Sequence, residues 1–127
     1  MRKPYLRSDT PNCTAVRHLL ATVGSKWAVV LIELLEERPK RFSELKREVG
    51  EITQKSLTAV LRDLEREGLV ERTVTPTIPP RVDYALTELG TSLAKSLNVF
   101  VRWAVENEKS VSEARAHFAA RANSEAP

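Results

Sequence analysis

A mainly helical α+β fold is predicted for this 127-residue chain by three observations. Two short amphipathic helical segments, 42–49 and 53–67, stand on either side of the turn Gly50-Glu51-Ile52. Two strand-like segments, 69–74 and 82–86, follow around a loop containing three prolines. Apolar stripes at helical spacing then flank this block, in 13–23 and in 87–121. The first two observations describe a helix-turn-helix with a small antiparallel wing over 41–86, and the third adds helices suited to pairing two copies of the chain.

Residues 1–12 hold Arg2, Lys3, Arg7 and two prolines with few apolar groups, which reads as a flexible basic arm. Asn12 is placed to cap a first helix carrying Val16, Leu19, Leu20 and Val23 and closing at Gly24. Ser25 is placed to cap a second, 26–37, whose Trp27, Val29, Val30, Leu31, Ile32, Leu34 and Leu35 are apolar nearly all round; such a helix belongs at the centre of a core. Pro39 separates it from the central block, and Lys40-Arg41 can begin a minor third strand.

In that block Ser43 is placed to cap the first helix, Leu45 and Val49 form its apolar side, and Gly50 stops it. Thr53 can cap the second helix, in which Leu57, Val60, Leu61 and Leu64 recur at i, i+3, i+4 and i+7. Opposite lie Lys55, Ala59, Arg62 and Arg66, with Gln54, Ser56 and Thr58 beside them near the start, while Asp63, Glu65 and Glu67 sit in the later turns. Amides, hydroxyls and cations at the N-terminal end are what a recognition helix offers to bases and phosphates. Gln54, Lys55, Ser56, Thr58 and Arg62 are therefore the candidate DNA contacts of this helix. Ser43 and Arg81, the latter in the loop Thr75-Pro76-Thr77-Ile78-Pro79-Pro80-Arg81, are candidates for phosphates or a minor groove.

Thr87 can cap a long helix to about Val105 with Leu89, Leu93, Leu97 and Phe100 in one stripe, and Val99, Val101, Trp103 and Val105 add apolar surface elsewhere. Ser110-Val111-Ser112-Glu113 has the pattern of a capping box, starting a helix that presents Val111, Ala114, Phe118 and Ala122 before a frayed tail at 122–127. One small domain has a single face to offer such a helix, so the surplus predicts a partner, and a second copy of the chain is the simplest. The expected homodimer interface includes Val16, Leu20, Leu93, Leu97, Phe100, Trp103 and Phe118; the alternative is that these side chains complete the core of one copy.

Composition narrows the class without deciding it. Apolar residues at 42% and charged residues at 29% are ordinary globular values, and a net charge of +3 with pI near 9.2 permits a nucleic-acid partner without demanding one. No apolar window approaches membrane-spanning length, and one cysteine cannot close an internal disulfide, so a cytoplasmic location is expected. There is no phosphate-cradling glycine loop, no CxxC and no HExxH, and His18 and His117 lack ligands at metal-site spacing; no enzymatic activity, metal or cofactor is expected.

Taken together, Gly24-Ser25-Lys26-Trp27, Arg41-Phe42-Ser43-Glu44-Leu45, Lys55-Ser56-Leu57-Thr58, Leu61-Arg62-Asp63-Leu64-Glu65, Gly68-Leu69-Val70 and 82–90, VDYALTELG, resemble the HxlR-type transcriptional regulators, a branch of the MarR-like winged-helix proteins. The resemblance covers roughly 13–105, with Thr14 where a proline often follows the cysteine and Asp83 where glutamate is usual. It implies a DNA-binding regulator, in all a winged-helix domain over 13–121. The helix-turn-helix and wing pattern in a two-fold dimer predicts sequence-specific binding to a roughly palindromic operator, and repression of nearby genes is the commoner outcome for a small DNA-binding dimer without an activation segment. A winged-helix protein-interaction module without an operator is the alternative. Cys13 is the one reactive candidate: in the first helical turn the dipole favours a thiolate, and Arg17 lies one turn on. Some regulators of this family sense quinones, electrophiles or oxidants through a cysteine near this position. Against that stands a small, partly buried structural residue.

Overall fold

The first helix starts on a proline. In the computed structural model, which describes residues 3, 7 and 9–125, α1 is Pro11–Val23, and its cap is Thr10, not Asn12. Thr10 Oγ1 accepts the Cys13 N–H at 3.2 Å, and Pro11, which has no N–H to orphan, takes the first helical position. Most of the arm expected at 1–12 lies outside the described residues. The Val16, Leu19 and Leu20 stripe of α1 remains exposed, and Cys13 is the one buried residue of this helix.

Next comes α2, Ala28–Glu37, which begins two residues later than the sequence suggested. Ser25 still contributes to the turn before it, its Oγ accepting the Ala28 N–H at 3.2 Å. Ala28, Leu31, Ile32 and Leu35 are buried, but Val30 is exposed, so this helix presents one face to the core and is not surrounded. Lys40–Arg41 forms β1, and α3 follows as Phe42–Val49. Ser43 does not cap α3: the cap position is Arg41, whose N–H donates to Glu44 Oε1 at 3.1 Å, leaving Ser43 inside the first turn with its side chain exposed. Gly50 turns the chain at φ 79°, a left-handed conformation that a side chain at this position would strain. Thr53 then caps α4, Gln54–Arg66, with its hydroxyl accepting the Ser56 N–H at 3.1 Å. Leu57, Leu61 and Leu64 of the expected stripe are buried, and Val60 is half-buried.

The wing is β2, Val70–Thr75, and β3, Arg81–Leu86, paired antiparallel. Together with β1 they form a sheet of order β1-β3-β2, so the third strand suggested at Lys40-Arg41 is present. Tyr84, in the middle strand, lies opposite Lys40 on one side and Arg72 on the other, and is buried. Lys40 is buried too, at 1% exposure, with Nζ donating to Glu37 Oε1 at 2.7 Å and to Glu48 Oε2 at 2.9 Å. Burial alone would lower its pKa; the two carboxylates outweigh this and hold the ammonium above its ordinary value. One cation thereby ties the end of α2 to β1 and α3.

Helix α5, Glu88–Glu106, is docked by its first turn. Thr87 N–H donates to Leu69 O at 3.1 Å, Thr87 Oγ1 donates to Gly68 O at 2.6 Å and accepts the Gly90 N–H at 3.0 Å. The approach is so close that a Cβ on Gly90 would lie 2.0 Å from Leu69 O. Helix α6 is Glu108–Glu125. It starts before Ser110, so the expected capping box falls inside the helix, and 122–125, expected to fray, are helical. The chain divides into two units, Met1–Ala94, which contains the helix-turn-helix and wing, and Lys95–Pro127. Within the second, Val99, Phe100, Trp103, Val105 and Phe118 are exposed, at 58% for Phe100 and 55% for Trp103. No single described helix is long and apolar enough to cross a membrane.

Candidate nucleic-acid interface

The side of α4 that its leucines leave free is the one open to a ligand. Because Leu57, Leu61 and Leu64 fix one face inward, Gln54, Lys55, Ser56, Thr58, Ala59 and Arg62 are all exposed on the other. Between that face and the wing lies an open concavity of about 800 Å³. Ser43, Gln54, Thr58, Arg62 and Arg81 line it, so five of the seven expected contacts are brought together from α3, α4 and β3. Lys55 and Ser56 are exposed on α4 but do not line it.

The same surface holds two arginines that the sequence reading passed over, Arg41 of β1 and Arg72 of β2, and a single acidic residue, Glu65. Arg62 and Arg72 have no carboxylate partner among the described residues, whereas Arg66 is held by Asp63 at 2.8 Å. Arg81 is held by Asp83, Nε to Oδ2 at 2.9 Å and Nη2 to Oδ1 at 3.2 Å. Beside the concavity, Arg38 and then the Arg41 N–H hold Glu44 down to about 2, so this carboxylate stays ionised. Lys46 and Arg47 line a second, smaller hollow with Phe42, Ser43, Gly50 and Gln54, extending the cationic surface along α3. An array of guanidiniums facing one concavity, with a row of amide and hydroxyl side chains on one rim, suits a polyanion that also presents base edges.

Over residues 22–112 the sequence matches the HxlR-like helix-turn-helix family. The chain belongs to that family. A helix-turn-helix transcriptional regulator of Halalkalibacterium halodurans is 43% identical over 101 residues, 79% of this chain and 86% of the relative. Among solved structures, the transcriptional regulator ytfH of Salmonella typhimurium superimposes with a TM-score of 0.76 at 31% identity, covering 87% of this chain and 96% of that one. The reduced form of the redox regulator HypR gives a TM-score of 0.73 at 35% identity, over 78% and 98% of the two chains. This HxlR-like chain is thus a DNA-binding transcriptional regulator with a winged helix-turn-helix.

The signal that could have found Arg72 in the HxlR-like chain was the period of two along β2, which puts it in the row of Val70 and Val74, the row opposite Tyr84. Arg41 was visible as the residue before the helix start. Nothing in the sequence marks Lys46 and Arg47 apart from other surface cations. Of the expected interface residues, Leu93 and Leu97 are partly buried, while Val16, Leu20, Phe100, Trp103 and Phe118 are exposed. Among the described residues no three His, Cys, Asp or Glu side chains converge as a metal site would require.

Proposed function

We propose that the protein is a homodimeric repressor in the cytoplasm that binds a roughly palindromic operator, placing α4 of each copy in successive major grooves and each wing against the flanking backbone or minor groove. The observation that carries this reading is the concavity in which Arg41, Arg62, Arg72 and Arg81 surround Ser43, Gln54 and Thr58. Cations there supply the salt-dependent affinity and the amide and hydroxyl groups supply readout. Lys55 and Ser56, further out on α4, reach the adjoining bases and phosphates. No catalytic step and no cofactor belongs to this function.

Pairing of two copies rests on apolar surface that one chain leaves in water: Val16 and Leu20 on α1, Phe100 and Trp103 on α5 and Phe118 on α6. Leu93 and Leu97 complete the same stripe of α5. Such side chains repeat at helical spacing, which scattered surface residues do not. Cys13 makes the regulator responsive to oxidants or electrophiles. Its thiol is buried in the first turn of α1, the helix that carries part of the pairing surface, so a modification there alters how two copies meet. With one cysteine per chain, an oxidant such as diamide takes two hydrogen atoms from two thiols and joins two Cys13 residues, one from each chain. The solved relative HypR is itself described as a redox regulator.

The test is binding of the purified chain to a duplex it selects from randomised DNA, over a salt series, with and without diamide, beside Cys13→Ala. Affinity that falls steeply with salt and is lost on treatment only in the parent is expected. Salt-independent affinity would refute the DNA reading, and an equal diamide response in Cys13→Ala would refute thiol control. Sedimentation of Trp103→Glu as a monomer, against a dimeric parent, checks the pairing surface.

A further inference from the structure

We propose that Asp83 is a positioning residue for DNA recognition, gripping Arg81 at two nitrogens so that the wing guanidinium is aimed at the concavity beside α4. The inference rests on the DNA reading above. Arg81 lines the concavity and Asp83 does not, so the carboxylate stands as a support beside the arginine, two residues along the same strand. Both carboxylate oxygens are used, Oδ2 by Nε at 2.9 Å and Oδ1 by Nη2 at 3.2 Å, and three of the five guanidinium N–H groups remain for a ligand. The support is itself well held: Asp83 is paired across the sheet with Arg41 of β1 and Thr73 of β2, the last position of β3 before its β1-side edge becomes free. Arg81 stands at that free edge, where, among the described residues, Asp83 supplies both hydrogen bonds to its side chain and Glu44 adds a longer-range attraction.

A free arginine must lose rotamer freedom when it docks, and an arginine already held in a fork has lost part of it beforehand. The opposite expectation is equally definite. A carboxylate near DNA that did nothing but carry charge would repel phosphates, and its removal would tighten binding to every duplex alike. The two accounts therefore separate once binding to the selected duplex is divided by binding to a duplex of shuffled sequence: uniform repulsion cancels and leaves the ratio unchanged, whereas loss of the grip lowers it.

Asp83→Asn, which keeps the shape but cannot offer two anionic acceptors, is expected to lower that ratio about fivefold, the size of one ordered side chain. Asp83→Glu is expected to keep it. In an Arg81→Ala background, Asp83→Asn is expected to change nothing. In the DNA-free protein the Arg81 Nε–H resonance should be shifted and slow to exchange in the parent and in Asp83→Glu, and ordinary in Asp83→Asn, which checks the grip separately. A ratio unchanged or raised by Asp83→Asn, or an equal fall in the Arg81→Ala background, would overturn the proposal while leaving the DNA reading intact. Failure of the parent to select any duplex would overturn the DNA reading and this proposal with it.

Discussion

Lys40 gives the sharpest test of what holds the helix-turn-helix in place. Its ammonium is buried at 1% exposure, yet its partners reach water, Glu37 with a side chain 66% exposed and Glu48 with one 35% exposed. Pairs open to solvent in this way are strongly screened. They outweigh the cost of taking the ammonium out of water by a narrow margin. The net contribution of the charge is therefore small, and the aliphatic stem carries the stabilisation. Lys40→Ala removes three buried methylenes, worth about 0.8 kcal/mol each, and leaves a partial cavity, for a loss of about 3 kcal/mol. Lys40→Met keeps most of the stem and lets both carboxylates turn outward to water, so it should lie within about 1 kcal/mol of the parent. Urea unfolding at fixed protomer concentration, with m values compared, measures both. A Lys40→Met protein as unstable as Lys40→Ala would show that the ion pairs, not the stem, hold α2, β1 and α3 together.

Three further outcomes follow from the same geometry. Arg72→Ala should weaken binding to all duplexes and reduce the log–log salt slope by about 0.9 for the phosphate it neutralises; an unchanged slope would remove Arg72 from the interface. Glu44, held at about 2 against an ordinary 4.5, has a depressed folded pKa, so its stabilisation is complete above 4.5 and is lost as pH falls from 4.5 towards 2; Glu44→Gln should flatten an acid titration of stability in that window. Gly90→Ala would put a methyl 2.0 Å from Leu69 O, and calorimetry should find about 2 kcal/mol or more of lost stability in spite of the better helix propensity of alanine.

The helix-turn-helix was legible because its punctuation is local. Gly50, Thr53 and Gly68 each act through backbone geometry or a hydroxyl three residues away, and α3 and α4 end within a residue or two of where these signals put them. Caps with competing candidates were not legible. Thr10 and Asn12 both suit a cap, and the proline between them, which decides, fits the first helical position only if Thr10 is chosen. At α3 the visible serine drew the assignment, but Glu44 reaching back to the Arg41 N–H settles it. Lys40 was hidden for a different reason: a lysine in sequence carries no sign that two glutamates, three and eight residues away, will let it be buried. For the candidate site, residues on α4 could be named because helical period fixes their common face. Arg41 and Arg72 belong to it only through the register of β1, β3 and β2, a long-range fact. Likewise, a stripe such as that of α1 is visible in sequence, but whether it meets its own chain or water depends on what packs there.

The short length of β1 has a consequence for how the protein survives at high concentration. Because β1 pairs with β3 only through Lys40 and Arg41, the edge of β3 beyond Asp83 is left without a strand neighbour, beside the concavity. An unpaired strand edge is an invitation to another chain, and stacking of wings would be the natural route to aggregation. Here Pro79 and Pro80 lead into β3 with no N–H to donate, and Arg81 follows with a charge. Under the proposed function a double helix would read this edge through side chains, without the ladder of backbone hydrogen bonds that an incoming strand needs. The prolines thus close the wing to other wings by a means that would leave its side chains free for nucleic acid.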